Sequence, residues 1–445
     1  MQSSSVRETL RTINVSPVKT LGQNFLHDRN LARWIVDKIQ PGTNDYVLEI
    51  GPGLGALTEF VLAAGARVLG IEKDARLANF LQARFRDDRL EVRHSDALDF
   101  DPRQLFAQPN VKLLGNLPYN IASQLLLKYL ARPSPFSLVI LMLQKEMAAR
   151  LSAAPSTKDY GALTLQIQFH YRVKHLRNIP ATVFIPPPEV GSSIVSIQPR
   201  TVSEAPVCDF DLFMHLVKRG FSQRRKQLGN LLAEDVPNWP DIATALDVDP
   251  RTRAEALSLE QWIALTNSVG PILLPDRKKS DAERFPVVST EDRVLRSVAR
   301  GEVHGNNLLH RAIHILIFHK NGEIYLQKRS RWKDRHPLLW DSSAAGHVDA
   351  GEDYDEAAKR ELKEELGIEV ELEKICKLPA TEQTGHEFIW LYRGRYDGQF
   401  QLDLGEIEFG AFFPINVIDG WLGARPDDFA PGFIECWKTY RRMND

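Results

Sequence analysis

Short apolar runs closed by turn residues alternate with stretches of helical period through the first 200 residues. The runs at 46–50, 67–71, 111–114 and 138–143 read as strands, too short for helices, and Leu90 to Arg93 reads as a further strand. Between them, 28–39, 56–64 and 122–131 read as helices, and Gln144-Lys145-Glu146 opens another. Strand and helix in alternation predict an α/β fold. From 209 to 235 the pattern is helical throughout. Phe213, Leu216 and Val217, then Phe221, Leu228, Leu231 and Leu232, mark a helix, a turn and another helix. A polar, proline-containing stretch follows at 271–284. Strands return at 314–318 and 324–327, joined by the hairpin turn Lys320-Asn321-Gly322. Ala357, Ala358, Leu362 and Leu366 then give a helix with one apolar side, stopped by Gly367. The pattern divides the chain into an α/β domain at 1–200, a small helical domain at 201–270, a linker at 271–284 and a second α/β domain at 285–445.

Composition narrows the class. A chain of 445 residues exceeds one ordinary core, so several domains are expected. No apolar run approaches the 18 residues or so of a membrane span. Cys208, Cys376 and Cys436 are far apart and lack metal-ligand spacing, which points to a reducing, cytoplasmic setting without disulfides. The first 20 residues lack the apolar segment of a secretory signal. They are Ser-rich and poor in acids, the composition of a transit peptide, but Glu8 and the absence of an amphipathic pattern count against one. Residues 1–280 carry 34 Lys and Arg against 28 Asp and Glu, a net of +6, whereas 281–445 carry −8. A basic first part and an acidic second part suggest different partners.

The run at 111–114 leads into Gly115-Asn116-Leu117-Pro118-Tyr119-Asn120. A turn at the carboxyl end of a buried strand is where α/β sheets place their chemistry. These residue types suit methylation of an exocyclic amine on a flat ring. Such an amine is a poor nucleophile because its lone pair is delocalised into the ring. The Asn116 side-chain oxygen and the Leu117 or Pro118 carbonyl can each accept one of its N–H bonds, and Tyr119 can stack on the ring. An ordinary turn uses the same residues, so the neighbouring motifs decide. The strand at 46–50 runs into Gly51-Pro52-Gly53-Leu54-Gly55 and a helix, a turn whose glycines let backbone approach a nucleotide cofactor closely. Its G-x-G-x-G spacing, with Glu49 before it, favours S-adenosylmethionine over a dinucleotide. Glu72, closing the next strand, is placed for the ribose hydroxyls. Asp96, one strand later, is placed for the adenine amine. Phe184, rigid in the Pro186-Pro187-Pro188 loop, can face the target base opposite Tyr119, although a core phenylalanine beside a linker has the same pattern.

Residues 18 to about 265 resemble the ribosomal RNA adenine N6,N6-dimethyltransferases of the small-subunit type. The resemblance rests on LGQNFL at 21–26, LEIGPGLGALT at 48–58, Glu72, Asp96, GNLPYN at 115–120 and VFIPPPEVGSS at 183–193. It implies a Rossmann-like class I methyltransferase with a small α-helical domain, acting on two adjacent adenosines of an rRNA hairpin loop during assembly of the small subunit. Asn116, Leu117, Pro118, Tyr119 and Phe184 would hold the adenine. Gln23, Asn24, Leu26, Gly51, Gly53, Glu72, Asp96 and Asn116 would contact S-adenosylmethionine. Where the family has Lys after its third proline position this chain has Glu189, which alters a local RNA contact. In the helical piece, Lys218 to Lys226 holds five cations in nine residues. FSQRRKQL resembles the family's helical domain and assigns Arg224, Arg225 and Lys226 to RNA phosphates, although such a run also suits a solvated helix face. Methyltransferases that act on large-subunit RNA and confer antibiotic resistance share the catalytic core and are the alternative.

The second α/β domain carries the more specific motif. Gly346 is followed after five residues by Glu352, and seven more lead to Arg360-Glu361-Leu362-Lys363-Glu364-Glu365-Leu366-Gly367. Glu361, Glu364 and Glu365 share one helix face, where like charges repel and a hard divalent cation relieves them. An acidic surface helix without a ligand is the plainer alternative. The full spacing is that of the Nudix family, an α/β/α sandwich that hydrolyses diphosphate compounds. The resemblance implies Mg²⁺ on Glu361, Glu364, Glu365 and the Gly346 carbonyl, with Glu406 or Glu408 as a further ligand. Glu361 or Glu365 would also orient the attacking water. His304 to Arg311 and Trp340 to His347 resemble the isopentenyl-diphosphate-isomerase-like branch. Isomerases carry a catalytic Cys just before Gly-His. Here the stretch is Ser343-Ala344-Ala345, so hydrolysis is expected. The whole reads as a fused, monomeric, bifunctional enzyme, with a binding or sensor role for one half as the rival.

Overall fold

The computed structural model describes residues 3–17, 22–118, 121–272 and 283–444. The chain forms two compact units, Met1–Pro271 and Ile272–Asp445. Among the described residues, no helix is long and apolar enough to cross a membrane.

The first unit is built on a seven-stranded sheet. In chain order its strands are β1 (Tyr46–Ile50), β2 (Arg67–Glu72), β3 (Leu90–His94), β4 (Val111–Asn116), β5 (Phe136–Gln144), β6 (Tyr171–Ile179) and β7 (Ser192–Pro199). Their order across the sheet is β3-β2-β1-β4-β5-β7-β6. The first five run parallel, and β7 pairs antiparallel with both β5 and β6. β1 is buried at every position, as expected for a strand covered on both faces. One core lies on each side of the sheet, around Leu48, Leu113 and Leu141 and around Val47, Leu114 and Ile140. Order reverses between β1 and β4, so their carboxyl ends open a crevice.

Phe184–Ile185 lies outside this sheet, pairing with Phe25–Leu26 in a two-stranded ladder. Helices Phe210–Gly220, Trp239–Ala245 and Leu259–Val269 form the helical piece. Its core of Phe213, Leu216, Trp239 and Trp262 also takes in Leu165 and Phe169, from the helix Ala162–His170 beside the sheet. This shared core joins 1–200 and 201–270 in one compact unit. The second helix of the expected pair is one turn, Leu228–Leu231. The amides of Asp235 and Val236 both bond the Leu232 carbonyl, folding the chain back before Pro237.

The second unit is a mixed sheet between helices. Its strands are β8 (His310–Phe318), β9 (Ile324–Arg329), β10 (Trp340–Asp341), β11 (Ala344–His347), β12 (Glu373–Leu378), β13 (Glu387–Arg395) and β14 (Ile407–Phe413). β8 and β13 run parallel, and β11 pairs antiparallel with β8. Helix Tyr354–Leu366 packs its Ala357, Ala358, Leu362 and Leu366 against Ile313 and Ile315 of β8. A capping box of Asp353 and Glu356 starts it, and Gly367, at φ 67°, ends it.

Candidate active sites

The first site lies where β1, β2 and β4 end. Gly51, Gly53 and Gly55 take φ of 64°, 58° and 77°, in the left-handed region. At Gly53 a Cβ would sit 3.3 Å from the Phe25 ring, and at Gly55 one would sit 2.5 Å from the Phe85 ring. Glycine is therefore required by conformation and by space. Next to the turn is a cavity of about 80 Å³ lined by Gln23, Asn24, Leu26, Gly51, Gly53, Glu72, Asn116 and Pro118, among others.

Glu72 is buried, and its two oxygens accept the backbone amides of Gly53 and Asp74, each at 3.0 Å. Burial raises its pKa, and those amides oppose the rise. Its carboxylate is thus held at the cavity before any hydroxyl arrives. Glu49, also on the cavity, is buried and accepts the Thr58 hydroxyl at 2.7 Å. Burial pushes its carboxyl up to about 7, against the Thr58 bond and helped by Glu72. Asn116 donates its amide to the Asn24 carbonyl at 3.2 Å, which turns its side-chain oxygen away from that bond.

Other expected residues are placed differently. Asp96 does not line this cavity. It holds Lys73 at 2.5 Å and accepts the Leu98 amide at 2.9 Å, which lowers its pKa. Leu117 is buried at the carboxyl end of β4, where its amide bonds the Met142 carbonyl of β5 at 3.1 Å. The Pro118 carbonyl accepts the Ile121 amide at 3.2 Å, just before the helix Ala122–Tyr129 begins. Phe184 does not face an open slot: it is 2% exposed and packs in the same core as Leu26, Ile140, Met142 and Ile194. The cause is its ladder with Phe25–Leu26, which turns its ring inward. Tyr119 lies outside the described residues. In the helical piece, Arg224 bonds Glu255 at 2.8 Å and the Lys158 carbonyl, which makes it a brace within the unit. Arg225 and Lys226 are exposed, with no ion pair among the described residues.

The second site occupies a cavity of about 680 Å³. Glu361, Glu364 and Glu365 all line it. Glu361 rests on Gly346, where a Cβ would lie 2.1 Å from its carboxyl carbon. Glu365 is buried and accepts Gln327 Nε2 and the Ala345 amide, each at 3.1 Å. Burial raises the pKa of both Glu361 and Glu365. Arg360 spans Glu352 at 2.9 Å, Glu361 at 2.9 Å and Glu364 at 3.0 Å. Of the two later glutamates, Glu406 lines the cavity and pairs with Lys333. Glu408 does not line it and is tied to Arg331. An all-oxygen set holding an ammonium in its midst suits a hard divalent cation.

Beside it, His304, His310 and His347 converge, their ligand atoms within 4.8 Å of one another. Glu387 lies 3.3 Å from His347 and 3.4 Å from His310. Among the described residues, neither ring nitrogen of His304 has a hydrogen-bond partner, an arrangement that costs free energy unless a ligand completes it. Burial pushes His304 down to about 3 and His347 to about 4, so these two imidazoles are neutral. Three imidazoles and a carboxylate suit a borderline transition metal. No motif in the sequence assigns this cluster a role. Its signal was the pair of histidines six apart in His304 to His310, together with His347 after Gly346.

A family model for ribosomal RNA adenine dimethylases matches residues 16–270, and a model of the NUDIX domain matches 308–432. The chain belongs to the ribosomal RNA adenine dimethylase family. It carries a Nudix domain after the dimethylase part. The ribosomal RNA small subunit methyltransferase A of Halothermothrix orenii is 38% identical over 274 residues, spanning 59% of this chain and 91% of that protein. The protein of the same name from Chlorobium phaeobacteroides is 40% identical over 260 residues, spanning 58% and 95%. A solved structure, a dimethyladenosine transferase from Plasmodium falciparum, is 27% identical, covering 54% of this chain and 95% of that one with a TM-score of 0.48. In this dimethylase the glycine turn, Glu72 and Asn116 meet at one cavity. Asp96 and Phe184 stand off it.

Proposed function

We propose that the first unit transfers methyl groups from S-adenosylmethionine to N6 of two adjacent adenosines in a small-subunit rRNA hairpin loop, as part of ribosome assembly. The observation that carries this reading is Asn116, which lines the glycine-turn cavity with its amide fixed on Asn24 and its oxygen left to accept. S-adenosylmethionine, when bound, supplies an electrophilic methyl group. Glu72 holds the ribose hydroxyls, and the glycine turn lets the backbone lie against the cofactor. The Asn116 oxygen and the Leu117 carbonyl accept the two N–H bonds of the adenine amine, which directs its lone pair at the methyl donor. One proton leaves to water after transfer, so no strong base is required. The base reaches this turn only when unstacked, which favours an exposed loop. Arg225 and Lys226 supply phosphate contacts. The small-subunit target rests on the names of relatives 34–40% identical to this chain.

The second unit, in this proposal, is a Mg²⁺-dependent Nudix hydrolase of a diphosphate compound. Mg²⁺, when bound, supplies positive charge to the diphosphate and to a nucleophilic water. Glu361, Glu364, Glu365 and Glu406 hold the ion, and one of the buried glutamates orients the water. The bond that forms is from water oxygen to phosphorus. The bond that breaks is the bridging P–O bond.

Two assays test the pair of activities. Methyl incorporation into small subunits is expected to fall roughly 100- to 1,000-fold in Asn116→Ala with unchanged circular dichroism. Full activity in that variant refutes the role of Asn116. Modification of deproteinised large-subunit RNA but never of small subunits replaces the target with the alternative one. Phosphate or mononucleotide release from a panel of diphosphates with Mg²⁺ is expected for at least one compound, and is expected to be lost in Glu364→Gln. No release from any compound by a folded protein leaves the second unit a sensor.

A further inference from the structure

Every carboxylate of the glutamate set already has a cationic partner from its own chain. Arg360 serves Glu361 and Glu364, and is itself braced by Glu352 through two bonds of 2.9 and 3.0 Å and by the His347 carbonyl at 3.0 Å. Lys333 serves the other two: it pairs with Glu406 and lies 3.7 Å from Glu365. Its side chain is only 13% exposed, and that of Glu365 only 2%. The two cations differ in what else holds them. Arg360 is anchored by a rigid planar fork to groups outside the glutamate set. Among the described residues, the Lys333 ammonium has no hydrogen bond or ion pair beyond these two glutamates, and it sits on a flexible four-carbon stem.

We propose that Lys333 is a tethered counter-cation that holds the seat between Glu365 and Glu406 until a divalent ion displaces it. The inference rests on the reading of this cavity as a metal-dependent diphosphate site. An ammonium and a divalent cation within a few ångströms repel strongly in so buried a place, so the ion enters only as the lysine leaves. The released ammonium then needs an anion. A diphosphate arriving beside the ion provides one. Metal and diphosphate therefore bind cooperatively, each strengthening the other by the same factor. The lysine keeps the cavity neutralised without substrate and makes metal loading a response to it.

The experiment reads Mn²⁺ binding to the full chain by electron paramagnetic resonance, without and with methylene-bisphosphonate as a non-hydrolysable diphosphate. Lys333→Met removes the charge and keeps the stem length. It is expected to bind Mn²⁺ about tenfold more tightly than the parent without the bisphosphonate. It is also expected to gain less from adding it. Lys333→Gln provides a second neutral variant should the first fail to fold, and Lys333→Arg is expected to keep the parent's weak binding and its cooperativity. Equal or weaker Mn²⁺ binding in folded neutral variants overturns the proposal. Failure of the metal-site reading itself looks different: the parent and Glu365→Gln then bind Mn²⁺ alike, with or without the bisphosphonate.

Discussion

A single buried carboxyl sets a pH dependence in the first unit. Glu49 is fully enclosed, and burial raises its pKa from 4.5 to about 7. Between these values the unfolded chain has lost the proton and the folded chain retains it. The folded state then binds more protons, so stability falls as pH rises through that window and levels off above about 7. Glu49→Gln removes the titration and keeps an acceptor for the Thr58 hydroxyl. The difference in unfolding free energy, variant minus parent, is expected to rise by roughly 3 kcal/mol from pH 4.5 to pH 8. Pulse proteolysis in urea, read on fragments of the first unit, measures it at each pH. A difference that stays flat with pH shows that Glu49 is ionised in the folded protein. The glycine turn predicts a cofactor from the sequence alone, but the titration of the acid before it arises from enclosure by β2, β4 and the following helix, which no local spacing reveals.

At the level of elements, legibility followed pattern. β1 is read at its exact limits, and the 67–71 and 138–143 runs fall inside β2 and β5, because a strand buried on both faces is a continuous apolar run. The edge strand β6 is not recognised: Arg172, Lys174, His175 and Arg177 interrupt its apolar positions, since one edge and part of each face meet solvent. The same holds for β12, half of whose residues are charged. β11 is invisible for another reason, being four small or polar residues whose place is set by pairing with β8. The glutamate-bearing helix was legible from its apolar stripe and from Gly367, whereas its start, the capping box of Asp353 and Glu356, comes from the structure. Of the motif residues, Gly51, Gly53, Glu72 and Asn116 line the first cavity and Glu361, Glu364 and Glu365 the second, whereas Asp96 and Leu117 line neither. Phe184 is turned into the core instead, because its orientation depends on a ladder with Leu26, 158 positions earlier. The histidine cluster was missed because three separate segments bring it together.

Across the whole molecule, each candidate site draws its residues from one unit. The glycine turn, Glu72 and Asn116 lie in Met1–Pro271, and the glutamates, Lys333 and the histidines lie in Ile272–Asp445. Each unit also has its own buried core. Among the described residues, neither cavity is lined by a residue of the other unit. Charge separates them further, since residues 281–445 carry a net of −8 and repel RNA phosphates that the basic first part attracts. Fusion therefore predicts two independent catalysts held at one concentration. Asn116→Ala is expected to leave phosphate release within about twofold of the parent, and Glu364→Gln to leave methyl incorporation equally unchanged, as sites without shared partners behave additively. Both rates are measured on the same full-length preparations. A loss of either activity through the other unit's variant shows instead that a ligand of one site sets the state of the other. In that case the diphosphate is a signal to the methyltransferase, and adding it to the parent protein must change the rate of methylation.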